Sequence, residues 1–464
     1  MSVDSKAYAR YAAKVNLRDS DKSMSEEQRP VPLGEAQIEV AAPPLPKITT
    51  FTSLRSRDYL RFWLALLAGF TGLQMNIVAR GWLVWELTES ALKIGVVSFA
   101  FGVPILLFSL FGGAVADRMP KRNLLVITQA CHASVTLVIA ILVTADVIQF
   151  WHLVAAGAAT GCFFVFDGPA RQSIIPELVP RRQLLNAISL NSTGMNLTRV
   201  VAPTVAGALL VVIGSAGVFY IVSGCYIVAA AALSMISSYQ RVEEPSVAPL
   251  RAGSSSQSRS GTLARAIWAD LVEGLSYLRH NPLIISLLAL AFIPLLFGLP
   301  YMNLLPVFAD EVLGVGEFGF GTLIAMAGIG ALAASLGIAS LGDYRKKGML
   351  LFVLAIAFGI TLILFGLSQS YALSMAVLLG VGAGGTGYMT LNNTMIQSNV
   401  PPRMLGRVMS IYMMTFALMP MGALPIGALG DAIGVGTAVA GGGAIVVFFV
   451  LAMAVLRPNL RRLE

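Results

Sequence analysis

Charge is what this 464-residue chain has least of. Asp, Glu, Lys and Arg together make up 12% of it, against about 25% in soluble domains. With 56% hydrophobic residues and a mean hydropathy of +0.77, that scarcity excludes an ordinary soluble protein. Cys131, Cys162 and Cys225 all fall inside apolar runs, so neither a disulfide framework nor a paired Cys/His zinc site is read here. There is no P-loop to couple ATP, and no nucleophile–base constellation or metal cluster to support an enzyme or a cofactor. The first fifty residues hold no apolar core segment of the kind a cleavable signal needs. The net charge of +8 comes from basic residues spread between apolar runs. That distribution marks membrane topology rather than a nucleic-acid surface.

What the chain has instead is apolar runs. A helix needs about 20 apolar residues to cross a bilayer, and the sequence divides into twelve such spans. The first, anchored at its cytoplasmic end by Arg55, Arg57 and Arg61, runs to about Trp85; the next fall at about 92–115, 123–144, 151–173, 184–211 and 217–238. After a polar stretch come about 283–308, 319–341, 349–367, 371–395, 405–429 and 435–456. The expected fold is an all-α membrane protein of two six-helix bundles, 51–240 and 283–456. Residues 1–50, rich in charge, Ser and Pro, read as a disordered tail, and 457–464 form a second tail. The polar segment 241–282 reads as a linker. Ile267, Leu271, Leu275 and Leu278 recur there at helical spacing, which suits a helix lying on the membrane surface or packed on the protein.

Basic residues set the orientation. Arg118, Lys121 and Arg122, then Arg171, Arg181 and Arg182, then Arg345, Lys346 and Lys347, then Arg403 and Arg407 fall in alternate connections. The opposite connections hold almost none except Lys93. Both termini are therefore expected in the cytoplasm. The halves also echo each other: Val179-Pro180-Arg181 and Val400-Pro401-Pro402-Arg403 stand about 220 residues apart, as in parallel repeats.

The densest charge is Gly112-Gly113-Ala114-Val115-Ala116-Asp117-Arg118-Met119-Pro120-Lys121-Arg122, between the second and third spans. It resembles motif A of the major facilitator superfamily, with Pro120 where that family usually has Gly. The resemblance implies that Asp117 works with the loop cations Arg118, Lys121 and Arg122 as a gating relay, with Gly113 allowing close helix contact; the same residues could instead only set topology. Asp343, Arg345 and Lys346 after the eighth span resemble a degraded copy. In the fifth span, Arg199-Val200-Val201-Ala202-Pro203-Thr204-Val205-Ala206-Gly207 resembles a degenerate form of the antiporter motif C. Pro203 removes a backbone hydrogen bond, and the small residues, Gly207 among them, permit close packing. Ala79-Arg80-Gly81-Trp82-Leu83-Val84-Trp85 and Phe166-Asp167-Gly168-Pro169-Ala170-Arg171 are similar to the branch containing the enterobactin exporter and macrolide efflux proteins. Motif B is absent, Gly157 lying near its arginine position.

Arg199 lies near mid-membrane, where an arginine costs about 2.5–3.5 kcal/mol on insertion scales and so needs a partner or water. Arg80 lies nearer the outer face and could snorkel towards it. Candidate partners are few: Asp167 lies towards the cytoplasmic end of the fourth span, and Glu86 lies outside. Gln74, Tyr301, Asn303 and Asn392 are further candidates for substrate or coupling contacts. Trp82 and Trp85 read as interface-belt anchors, and His132 as a buried structural histidine.

The resulting expectation is a multi-pass exporter in a bacterial inner membrane, moving an amphipathic small molecule, drug-like or siderophore-like, by alternating access. Proton antiport is the expected energy source and a monomer the expected state, with no cofactor. Proton-coupled uptake, facilitated diffusion and a non-transporting sensor are the alternatives. Single cysteines placed in the 118–122 loop, in 241–282 and at the C-terminus should react with impermeant thiol reagents only from the cytoplasmic side. Labelling of two of these from outside would overturn the topology.

Overall fold

The protein is described by a computed structural model over residues 52–180, 183–237, 276–340, 346–401 and 419–462, with 404, 408, 409, 411, 412 and 415 between. The side chains of 109–118, 185, 196, 339, 419, 459 and 462 lie outside that description. So do the expected tail 1–50 and almost all of the expected linker helix.

Every described element is helical. In chain order they are α1 (Arg57–Thr88), α2 (Ala91–Arg118), α3 (Lys121–Thr144) and α4 (Phe150–Leu178), followed by one run, Leu184–Ser234. Then come α7 (Pro282–Val312), α8 (Gly316–Ser340), α9 (Lys347–Gly366), α10 (Tyr371–Asn399), α11 (Met419–Ile433) and α12 (Val435–Leu456). In α7, π-helical turns at Pro294–Gly298 and Phe308–Val312 interrupt the helix beside its prolines.

The 51-residue run Leu184–Ser234 is two helices. Gly214 breaks it with φ 67° and ψ 177°, a backbone region open essentially to glycine alone. Residues 184–213 (α5) run parallel to α1: the Trp63 indole donates to the Leu190 carbonyl at 3.2 Å, and Leu67 faces Gly194. Residues 215–234 (α6) return. Ser223 donates to Ala133 on α3 at 3.0 Å, and Arg61 at the start of α1 donates to the Met235 carbonyl at 2.7 Å. Ten described helices are long and apolar enough to cross a membrane. Counting the reversal at Gly214, they make eleven passes, and the described part of α11 is a fifteen-residue piece of the next.

The passes give the molecule two chemically different faces. One carries Arg57, Arg61, Lys121, Arg122, Lys346 and Lys347; the other carries Glu86, Glu89, Asp146, Asp310, Glu311, Glu317 and Asp431. The text below calls them the basic and the acidic face. α4 runs seven residues beyond Arg171, through Pro176 to Leu178. Arg171 is therefore a buried residue of a helix, not a loop charge.

Helix pairs meet backbone to backbone through glycine. On α10, a Cβ at Gly382 would collide with the Ala327 carbonyl of α8, and one at Gly330 on α8 would strike the Leu379 carbonyl. Gly382→Val should therefore lower the thermal midpoint in detergent, as overpacking that costs about 1–3 kcal/mol. Gly441→Ala on α12 meets open space and should leave the midpoint unchanged or slightly raised. Equal midpoints for both variants would refute this packing.

Candidate functional site

The first polar layer lies inside the α1–α6 half. Asp167 and Arg171 stand one turn apart on α4, and Arg171 Nε donates to Asp167 Oδ2 at 2.5 Å with both residues 7% exposed. The other carboxylate oxygen accepts from Gln129 Nε2 at 3.0 Å and Thr128 Oγ1 at 3.2 Å, both on α3. Three donors thus satisfy one buried carboxylate. Gly69 on α1 lets Gln129 and Arg171 reach this depth, since a Cβ there would lie 2.9 Å from Gln129 Oε1. His132 stacks on Tyr226 at 5.1 Å and meets the edge of Phe163 at 5.5 Å. These groups border a small crevice, roomy enough for water, that opens past Phe70, Leu73 and Phe164. Arg171 Nη1, Gln129 Oε1, His132 Nδ1 and the Tyr226 hydroxyl have no partner there.

The ion pair changes two readings of the sequence. Asp167 does not serve Arg80 or Arg199, because its partner is its own helical neighbour Arg171. Arg80 does not snorkel outward: its guanidinium lies 5.7 Å above the ring of Phe101 on α2, within the half. The i,i+4 spacing of Asp167 and Arg171 was the signal available for this pair.

Arg199 is exposed, and the burial pattern of α5 shows on which side. At 100° per residue, Leu197, Val201, Val205 and Val212 form an exposed apolar arc suited to lipid. Arg199 points the opposite way. It lines up with Ala202, Ala206 and Leu210, each at most 2% exposed. Towards the basic face the same stripe continues with Ser192 and Ile188, which are exposed. The inward stripe of α5 is thus closed near the acidic face and open near the basic one. No ion-pair partner of Arg199 occurs among the described residues.

The second arrangement joins the two halves, at the acidic face. Asp431 near the end of α11 accepts from Ser90 Oγ at 2.6 Å, Ala91 N at 2.7 Å and Leu92 N at 3.2 Å. It caps the start of α2 from the other half, where a helix leaves amide donors unpaired. Trp85 Nε1 donates to Asp310 on α7 at 2.9 Å, and Trp82 stacks on Phe320 of α8 at 5.7 Å. Both tryptophans are buried between the halves, which corrects their reading as lipid-belt anchors. Ser98 on α2 donates to Asn303 on α7 at 3.0 Å. Gly207 and Gly321 bring α5 and α8 together, a Cβ on Gly321 falling 2.7 Å from the Gly207 Cα, and Pro203 is buried one turn away. A Cβ on Gly95 of α2 would stand 2.6 Å from the Ala423 carbonyl of α11.

The remaining candidates are distributed. Lys121 pairs with Glu177 at the end of α4, and Arg122 donates to the last carbonyls of α6, Leu233 and Ser234. Both contacts stay within one half. Gly113, Asp117 and Arg118 belong to the last turns of α2, whose side chains lie outside the described residues, as do Asp343 and Arg345. Lys346 is exposed before α9. Gln74 is half-buried on α1 without a hydrogen bond among the described residues. Tyr301 is buried against the edge of Phe365, and Asn392 braces α10 to α7 by donating to the Leu287 carbonyl at 3.0 Å. No cluster among the described residues could hold a metal ion.

Comparison with known proteins places this geometry. A family model described as transmembrane secretion effector matches residues 48–464. The staphyloferrin A transporter of Staphylococcus aureus is 26% identical over 367 residues, covering 79% of this chain and 88% of that protein. The multidrug efflux pump Tap of Mycolicibacterium fortuitum is 26% identical over 393 residues, covering 82% and 91%. Among solved structures, a bacterial homolog of the lysosomal transporter Spinster in an inward-facing conformation superposes with a TM-score of 0.64 at 16% identity, covering 88% of this chain and 96% of that one. The nucleoside transporter NupG gives 0.64 at 14% identity, covering 86% and 98%.

The Asp431 contact makes a measurable claim. In a background without native cysteines, Asp431→Ala should raise labelling of Ser98→Cys from the acidic face by about five- to thirtyfold, the shift expected for losing a cap of roughly 1–2 kcal/mol. Unchanged labelling would reduce Asp431 to a surface charge.

Proposed function

Since this chain belongs to the transmembrane secretion effector family of major facilitator transporters, we propose that it exports an amphipathic small molecule, drug-like or siderophore-like, across a bacterial inner membrane. It does so by alternating access, with proton antiport as the energy source. The observation that carries this reading is the one-sided closure: the contacts between the halves named above run from the acidic face to mid-membrane, where Gly328 of α8 meets Val200 of α5, while the inward stripe of α5 opens towards the basic face. With basic residues marking the cytoplasm, this is the loading state of an exporter. The multidrug efflux pump among its relatives supports the direction.

In the cycle proposed, the molecule enters from the basic face and reaches the level of Arg199. The cytoplasmic ends then close and the Asp431, Asp310 and Asn303 contacts release. Asp167 is the coupling residue in this reading: it is the carboxylate at membrane depth, and protonating it would free Arg171 from its partner. The motif A cations act at the cytoplasmic end, where Lys121 and Arg122 tie α3 to α4 and α6.

The test is flux in proteoliposomes holding purified protein, with an imposed pH gradient and a panel of fluorescent amphipathic dyes. A gradient directed as in the cell should drive dye movement. Asp167→Asn alone leaves Arg171 as a buried unpaired charge, a loss of about 3–5 kcal/mol. The double variant Asp167→Asn/Arg171→Gln should recover the thermal midpoint. It should still lack gradient-driven flux while keeping dye exchange without a gradient. Gradient-driven flux at the parent rate in the double variant would remove Asp167 from coupling, and flux in the reverse direction would replace export by uptake.

A further inference from the structure

The charges at membrane depth do not balance. Of the 24 acidic residues in the whole sequence, Asp167 alone stands more than one turn from a span end; Glu86, Glu177, Asp310, Glu317 and Asp431 all sit in terminal turns. Three arginines share that interior: Arg80 eight residues from the end of α1, Arg171 seven from the end of α4, and Arg199 fifteen from the start of α5. Asp167 is taken by Arg171 at 2.5 Å and by Gln129 and Thr128. Arg80 has only the Phe101 ring beneath it, and Arg199 has no carboxylate among the described residues.

Two of these cations, Arg171 and Arg199, occupy a common depth, and Arg80 stands about two turns nearer the acidic face. α5 runs parallel to α1 with Gly194 facing Leu67, so Arg199 lies about five residues further, level with residue 72 of α1. Gly69 meets Arg171 and Gln129, and Gly72 meets Tyr226. Arg199 is therefore on the same level as the crevice that Arg171 lines, where its Nη1 is buried with no hydrogen-bond partner among the described residues.

We infer that the molecule this protein moves carries an anionic oxygen group, a carboxylate or its equivalent, recognised by the exposed Arg199, with the buried Arg171 at the same level and Arg80 nearer the acidic face adding to the positive field. The inference rests on the export reading and adds the charge of the cargo to it. While the basic face is open, water solvates Arg199. When the cavity closes around its cargo that water is displaced, and a guanidinium occluded without an anion is costly. A carboxylate supplies the missing charge and fits the planar donor fork. A lipophilic cation would add to the imbalance and would find Asp167 already satisfied by three donors.

Everted membrane vesicles containing the full chain, given carboxyfluorescein or tetramethylrhodamine ethyl ester, decide between these cargoes, because the dyes share a xanthene core and differ in the sign of their charge. The anionic dye should accumulate above empty vesicles and the cationic dye should not. Arg199→Gln should cut anion uptake about tenfold, the scale of one charge-assisted hydrogen bond. The Arg199→Glu variant should shift preference towards the cation. Arg199 makes no described contact that these substitutions break, and a thermal midpoint equal to the parent's confirms the fold. Accumulation of the cation in preference to the anion, or of both alike with no response at Arg199, overturns the assigned charge and leaves export standing. Movement of neither dye by folded protein overturns the assigned charge together with the export reading.

Discussion

Inside a bilayer no water is available to an unpaired N–H or C=O, and every larger feature of this protein follows from that constraint. It makes the chain helical throughout its described spans, and it leaves the two halves little besides surface shape with which to meet. They meet through small residues, Gly95 against Ala423 and Gly207 against Gly321. The stronger polar contact is placed where water can take over. Asp431 caps the first amides of α2 at the membrane surface, so opening exchanges three protein hydrogen bonds for three to solvent. A joint of that kind is worth about 0.5–2 kcal/mol net, enough to bias a two-state equilibrium and too little to lock it.

The contrast with Asp167 and Arg171 is instructive. That pair lies within one half, and its partners on α3 and α4 belong to the same half. Rocking of one half against the other leaves it intact. In the proposed cycle, conformational change and charge storage are thus assigned to different residues: the surface contacts between halves respond to motion, while the buried pair responds to protonation or to a competing charge.

Much of this was legible in the sequence, because hydropathy and basic residues act through the solvent and not through a partner. The spans, the reversal of the chain at each one and the small-residue character of α5 all have local signals. The contacts between distant helices have none. Nothing near Trp85 announces Asp310, 225 residues away, and nothing near Asp431 announces Ala91, 340 residues away. Trp82 and Trp85 sit at an interfacial depth whether they face lipid or another helix, so depth alone assigned them wrongly. Arg171 was read as a connection cation because it falls at the very end of the expected span 151–173, yet α4 continues through Pro176 to Leu178. The Asp167–Arg171 spacing did carry the pair, once both residues are placed on one helix.

The charge of the proposed cargo also bears on its energy source. A bacterial interior is electrically negative, and each elementary charge moved across the membrane is worth about 2.3 kcal/mol per 100 mV. An anion leaving the cell moves downhill in that potential, as does a proton entering. Exchange of one for the other therefore carries two charges in the favourable sense per cycle, whereas exchange of a monovalent cation for a proton carries none. A membrane interior that holds three arginines and one aspartate suits the first of these, since binding an anion relieves the imbalance that an empty occluded cavity would have to bear. The empty protein is then disfavoured from closing, and an exporter that closes only when loaded does not leak protons back without work done. The excess of arginine thus acts on selectivity and on coupling through one physical quantity, the cost of leaving a guanidinium alone in hydrocarbon.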